Sequence, residues 1–192
     1  MAWLEILLIS FGVSIDAFAV STSGSLCKPF LPRRIQALNA ALFFGFFQFM
    51  MPVIGFWAAG FVTGLFQSLN SLIAAILLGA VGGKMIFDAI KDDDGKVECK
   101  VDTDFFALKN LFLPAIATSI DAMAVGAGLA FAAKPLWLTA VSMGVVTGIV
   151  SACGVLLGSS LRHKVNQKYL TIAGGTAIIL IGIKALAATF FN

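Results

Sequence analysis

Apolar runs of roughly twenty residues or more recur along the whole of this 192-residue chain, and each is long enough to cross the hydrocarbon core of a bilayer as a helix. No other feature limits the fold so tightly, because backbone polar groups inside lipid must be satisfied within the protein itself. The reading is an all-α polytopic membrane protein with six transmembrane helices, at 3–24, 36–62, 69–90, 108–131, 135–160 and 168–190. Composition agrees. Charged residues make up 12% of the chain, about half of what a soluble domain carries. The polar stretch 91–107 is too short to fold alone. The first run is not expected to be a cleaved signal: it lacks a basic leader, its early charge is Glu5, and it exceeds a usual signal core in length.

Basic residues set the expected orientation. Ten lie at the connections between spans 1 and 2, 3 and 4, and 5 and 6; Lys134 alone lies at an alternate connection. Those three connections are therefore expected in the cytoplasm, with both termini outside. The net charge of +3 is this topology signal, and it calls for no nucleic acid. The three cysteines, Cys27, Cys99 and Cys153, are widely spaced and form no CxxC pair, so they read as structural thiols. His163, among Arg162, Lys164 and Lys168, reads as interfacial.

One short stretch occurs twice. Ser14-Ile15-Asp16-Ala17-Phe18-Ala19-Val20 matches Ser119-Ile120-Asp121-Ala122-Met123-Ala124-Val125 at six of seven positions, 105 residues apart. Each copy sets an aspartate in an apolar run. A charge near the bilayer centre costs at least about 2.5–3.5 kcal/mol and is usually functional. Small residues flank both acids at helical spacing, Gly12 and Ala19 in one copy and Ala117, Ala124 and Gly128 in the other, so neighbouring helices can approach closely. The tail Ser21-Thr22-Ser23-Gly24 suits either a cavity wall or a fraying end.

Other matches follow in the same order. Gly45, Gln48 and Gly55 answer Gly144, Thr147 and Gly154 at an offset of 99, and Gly82-Gly83-Lys84 answers Gly182-Ile183-Lys184 at an offset of 100. The chain thus reads as residues 1–90, a first three-helix repeat; 91–107, an acidic cytoplasmic loop; and 108–192, a second three-helix repeat. Three spans are an odd number, so the second copy runs in the opposite sense. Such a 3+3 inverted repeat is typical of secondary transporters, with the site at the repeat interface near the midplane.

Around the acids stand further candidates. Pro52 frees the carbonyl of Gln48, so this residue offers two oxygens at one place, with Met51 on the same face. The same amide could instead serve as polar glue between helices. Pro114 is expected in the first turn of span 4. Thr118 shares a face with Asp121. Lys84 lies more than a turn inside its span and is expected to reach toward the interface, with Asp88 as a charge partner; Lys184 is its counterpart. Gly79-Ala80-Val81-Gly82-Gly83-Lys84-Met85 is no phosphate loop, since Met85 stands where Ser or Thr belongs.

Two carboxylates at one midplane site repel each other, so an empty site is expected to hold a proton, whereas a divalent cation satisfies both acids when ionised. Gln48, Thr118, Thr147, Ser14 and Ser119 would supply neutral oxygens. That donor set suits magnesium, calcium or manganese. Met51 and Met123 would add softer ligands. No deep His or Cys cluster favours zinc or copper.

The two aspartate motifs resemble those of the MntP-type manganese exporters, as do Phe43-Phe44-Gly45-Phe46-Phe47-Gln48-Phe49-Met50-Met51-Pro52-Val53-Ile54-Gly55 and Gly82-Gly83-Lys84-Met85-Ile86. The resemblance spans the whole chain. It implies a fold related to the LysE-type exporters, residence in a bacterial plasma (inner) membrane, and efflux of Mn(II) through Asp16 and Asp121. It also implies Glu in some members where this chain has Gln48.

The expected function is therefore secondary active export of a divalent cation, most plainly Mn(II), coupled to proton entry. Manganese is cargo here, and no cofactor is implied. The rivals are a passive cation channel, a LysE-like exporter of an organic cation such as an amino acid, and an intramembrane aspartyl hydrolase that has two acids and nothing else. The reading is of a transporter and not an enzyme. Whether the chain forms a homo-oligomer stays open.

Overall fold

A computed structural model describes residues 3–25, 31–63, 70–91 and 105–161, together with positions 172, 176, 178–180, 183 and 187 near the end of the chain. Five helices are delimited in chain order: α1 (Trp3–Gly24), α2 (Arg33–Thr63), α3 (Asn70–Lys91), α4 (Leu108–Phe131) and α5 (Trp137–Leu161). The positions described beyond α5 are helical too. Each helix falls on an expected span to within a few residues. Among the described residues α1, α2, α4 and α5 are long and apolar enough to cross a membrane. Most of the sixth span and of the acidic connection lies outside the described residues.

The helices are apolar outward and polar inward. Trp3, Leu4, Phe46, Trp57, Phe61, Leu113 and Trp137 are exposed, while Ser10, Ser14, Ser21, Gln48, Ser119, Thr147 and Ser151 are buried. A soluble bundle shows the reverse arrangement. Here lipid covers the apolar side chains, and close helix packing must be secured by small residues and hydrogen bonds.

Helix directions follow from pairs of contacts. Ser10 Oγ of α1 donates to Ser142 Oγ of α5 at 2.9 Å. Further along both helices, a Cβ placed on Gly154 would lie 3.1 Å from the carbonyl oxygen of Phe18. So α1 and α5 run parallel. Phe47 meets Phe112 edge-on at 5.6 Å between ring centroids, Ser119 bonds Gln48, and Gly126 abuts the carbonyl of Pro52; so α2 and α4 run parallel as well. Gly148 packs on Ala41 while Gly144 packs on Phe49, which makes α2 and α5 antiparallel. They cross at Gly45 and Gly144, where a Cβ on Gly45 would come within 2.9 Å of the Gly144 carbonyl oxygen. Helix α3 docks on α4.

Local chemistry sets the ends. Pro32 ends the turn before α2, and its carbonyl accepts from the backbone N–H of Ile35 and Gln36. Asn39 Nδ2 donates to the carbonyl of Phe106 at 3.0 Å, tying the start of α2 to the entry of α4. After α4, Ala133 takes φ 50° and the N–H of Lys134 returns to the carbonyl of Leu129, reversing the chain into α5. Pro114 lies within α4 and not in its first turn. Likewise α2 continues through Pro52.

Candidate metal site in a buried polar layer

Two apolar clusters divide the interior. One gathers Ile9 and Val13 of α1, Leu78 and Val81 of α3, Ala122 and Val125 of α4, Met143 of α5, and Ile178, with Met51 of α2 packed against it. The other gathers Ala17 of α1, Ala37, Ala40 and Phe44 of α2, Phe106, Leu111 and Ala115 around α4, and Val155 of α5. On every helix that joins both clusters, the candidate polar residues fall in the gap. On α1 that gap holds Ser14 and Asp16. On α2 it holds Gln48, and on α4 Thr118, Ser119 and Asp121. On α5 it holds Thr147 and Ser151. Lys84 follows the last cluster residue of α3, Val81, by three positions. The polar groups therefore form one layer between the two apolar clusters.

Asp121 is 6% exposed. Its Oδ1 lies 3.0 Å from Nζ of Lys84, whose ammonium donates to it. Sequence reasoning sent Lys84 toward the interface with Asp88 as its partner. The lysine reaches the duplicated aspartate, because α3 docks on α4 with Lys84 facing that acid. The Asp88 side chain and Lys184 lie outside the described residues. Asp16 is half-buried and also engaged in an interaction.

Gln48 is fully buried and joins the two motifs. Its Nε2 donates to the carbonyl of Val13, three residues before Asp16, at 3.2 Å. Its Oε1 accepts from Ser119 Oγ, two residues before Asp121, at 3.1 Å. One side chain thereby ties the backbone of α1 to the side chain of α4. Its amide oxygen has two lone pairs, of which Ser119 uses one. Ser14 and Thr118 turn back on their own helices, Ser14 Oγ to the Phe11 carbonyl at 2.7 Å and Thr118 Oγ1 to the Pro114 carbonyl at 3.0 Å. Their oxygens keep acceptor capacity. Met51 is partly buried and packs against an apolar cluster, and Met123 is exposed.

Four buried hydroxyls behave differently. Among the described residues, Ser21 and Thr22 of α1 and Thr147 and Ser151 of α5 find no hydrogen-bond partner for their oxygens. A buried polar group left unpaired costs about 1–3 kcal/mol, so this cluster calls for an explanation. The polar tail of α1 is not a fraying end, since Ser21, Thr22 and Gly24 are buried in helix. Ser151 was not singled out by sequence. The available signal was its spacing, one turn beyond Thr147. Among the described residues no three His, Cys, Asp or Glu side chains converge. A cation held in this layer would accordingly need neutral oxygens beside the carboxylates.

Comparison with known proteins bears on this layer. A family model described as "Putative manganese efflux pump" matches residues 31–186. A relative in Clostridium perfringens, named "Putative manganese efflux pump MntP", is 38% identical over 203 residues, covering 97% of this chain and 94% of its own. Relatives of the same printed name occur in Methanosarcina mazei, 40% identical over 189 residues with 97% of each chain covered, and in Bifidobacterium adolescentis, 38% identical over 183 residues with 95% of each covered. No solved structure matches the chain significantly.

Proposed function

Because this chain belongs to the MntP manganese efflux pump family, which makes it a transporter and not an enzyme, we propose that it is a secondary active exporter of Mn(II) driven by proton entry. The observation that carries this reading is the polar layer. It holds the two duplicated aspartates, Asp16 and Asp121, between two apolar clusters. An acidic site at mid-depth between apolar clusters suits a carrier that exposes its cargo to one side at a time.

Asp16 and Asp121 are the metal's anionic ligands in this proposal, and Gln48 contributes its second lone pair. Ser14, Thr118, Ser119 and Thr147 are the oxygens nearest in the layer. Hard oxygen donors suit Mn(II). The Lys84 ammonium acts as a tethered stand-in cation. It pairs with Asp121 until metal or a proton takes its place, and on the return step Asp16 and Asp121 each carry one proton inward. By the sequence match, Lys184 is the counterpart of Lys84 in the second repeat.

Repeat-equivalent contacts support the 3+3 inverted repeat. Gly55 of α2 abuts Met123 of α4, and Gly154 of α5 abuts Phe18 of α1. Gly55 corresponds to Gly154 at an offset of 99, and Phe18 to Met123 at an offset of 105. The parallel pairs α1 with α5 and α2 with α4 are the same pair seen twice. Gly45 and Gly144, themselves equivalent, meet at the antiparallel crossing expected on a two-fold axis. Three basic connections would then face the cytoplasm of a bacterial plasma membrane, with both termini outside.

Energy decides the coupling. Moving two positive charges out against an inside-negative potential costs about 4.6 kcal/mol per 100 mV, twice the single-charge figure. A passive channel would load the cell with cation. Exchange of one Mn(II) for two protons is electroneutral, so the pH gradient drives it. The test is purified protein in liposomes carrying a pH dye and a manganese dye. Manganese flux should follow an imposed pH gradient, with counter-movement approaching two protons per ion. Flux that follows voltage alone would reject the exchange in favour of a channel. Transport of a labelled amino acid with no manganese flux would favour a LysE-like carrier.

A further inference from the structure

The four unpartnered hydroxyls lie along one seam. Gly154 packs on Ser21 and Thr22: a Cβ there would sit 3.1 Å from Ser21 Cβ and 3.2 Å from Thr22 Oγ1. Ser151 and Thr147 are one and two turns back along the same face of α5. The contacts of Ser10 with Ser142 and of Ser21 with Gly154 set a parallel register of 132–133 residues. That register puts Thr147 level with Ser14 and Ile15, inside the polar layer, and Ser151 level with Phe18. The hydroxyls thus descend between α1 and α5 from the aspartate layer to the last turn of α1. Elsewhere Ser10, Ser14, Ser25 and Thr118 satisfy themselves on carbonyls of their own helix. Along this seam the oxygens do not.

The repeat-related seam between α2 and α4 is built oppositely. The counterparts of Thr147 and Ser151 are Gln48 and Pro52; those of Ser21 and Thr22 are Gly126 and Ala127. There Gln48 spans the gap and bonds Ser119. Carbonyls of Pro52 and Met123 press against Gly126 and Gly55 so closely that a Cβ at either glycine would collide. At Gly154 the same contact leaves 3.1 Å. One seam is closed and hydroxyl-free beyond Gln48, and the other is looser and lined with unpaired hydroxyls.

We infer that the α1–α5 seam, from Thr147 through Ser151 to Ser21 and Thr22, is the hydrated path by which the divalent cation reaches the aspartate layer from the cytoplasmic face. Hydroxyl oxygens at turn spacing replace part of the ion's water shell in steps, and they carry no charge that would trap it. The α2–α4 seam is the barrier on the opposite side. The direction of the path rests on the export reading and its orientation; the wet seam itself rests only on the hydroxyls and their register.

The test is cysteine accessibility in membrane vesicles, after Cys27, Cys99 and Cys153 are replaced by serine. Ser151→Cys and Thr22→Cys should react with a charged, membrane-impermeant methanethiosulfonate in inside-out vesicles, and Mn(II) should slow the reaction several-fold. Ala127→Cys, on the closed seam, and Ile149→Cys, exposed on α5, should react at least tenfold more slowly. A second measurement uses Thr22→Val, which keeps the volume and removes the hydroxyl, and should slow manganese export several-fold. Absence of labelling from either face, with Thr22→Val exporting at the parental rate, would overturn the path. So would equal labelling of Ala127→Cys. Labelling of Ser151→Cys that Mn(II) leaves unchanged would support the wet seam and count against the manganese reading alone.

Discussion

Nζ of Lys84 lies 3.0 Å from Oδ1 of Asp121, so a cation already occupies the neighbourhood of the second duplicated acid. The lysine side chain is 55% exposed and the aspartate 8%. The contact is a one-sided burial in which the acid is fixed and the base has room to swing away. That asymmetry suits an ammonium that yields its place to a metal. Lys84→Met should therefore raise equilibrium affinity for Mn(II) about tenfold, worth about 1.4 kcal/mol, and slow turnover by at least as much. Calorimetry on purified protein and vesicle flux would read the two effects separately. Weaker binding in Lys84→Met would remove the stand-in role.

Asp16→Asn and Asp121→Asn should each abolish manganese export while leaving the protein inserted. Each change removes one of the two anionic ligands proposed for the metal, and the amide keeps the shape of the side chain. The measurement is manganese tolerance of cells at matched expression. Wild-type tolerance in Asp16→Asn would remove the duplicated acids from the site.

Gln48→Ala should impair both folding stability and transport. It removes the bridge to the Val13 carbonyl and leaves the buried Ser119 hydroxyl without its acceptor, a loss of about 1–3 kcal/mol for a buried group left unsatisfied. A lower melting temperature in detergent should accompany reduced flux. Gln48→Glu keeps an acceptor for Ser119 and adds a negative charge to the layer, so it should tighten Mn(II) binding. An unchanged melting temperature in Gln48→Ala would show that the bridge contributes nothing to stability.

Gly126→Ala and Gly55→Ala should destabilise the α2–α4 pair, because the added methyl meets backbone carbonyls of Pro52 and Met123 that cannot move alone. Overpacking of this kind costs about 1–3 kcal/mol. Gly60→Ala and Gly79→Ala meet nothing within 4 Å and should be neutral or slightly stabilising, since alanine favours helix. Thermal denaturation of the four variants checks the contrast.

A reporter fused after Asn192 should read as external, and one inserted within 91–107 as cytoplasmic. A cytoplasmic reading at Asn192 would contradict an inverted repeat of two three-helix units.

Much of this molecule is written locally. Helix positions follow from apolar run length, and α1 to α5 fall on their expected spans. The aspartates were legible because a charge in an apolar run is costly, and doubly so when repeated. Gln48 was legible as an intramembrane amide, though whether it would serve as ligand or glue was not. Spacing along one helix cannot say which neighbour an amide meets. Its hydrogen bonds to Val13 and Ser119 exist only because α4 packs on α2 and because α1, held on α5 and α4, comes within reach of the Gln48 side chain.

Pairing across helices was decided by tertiary structure throughout. Lys84 has an acid one turn away at Asp88, and local spacing favours that partner. That Asp121 also lies within reach is decided by the docking of α3 on α4. Ser21 and Thr22 read equally well as a cavity wall or a loose end until the burial of α1 excluded the loose end. Ser151 carried no signal beyond its spacing from Thr147. The physical reason is the same in each case. Lipid makes hydrophobicity and length sufficient to set where helices run. In a setting with no hydrophobic drive between helices, the choice of contacts depends on which small residues let two backbones approach, and on which polar groups then find one another.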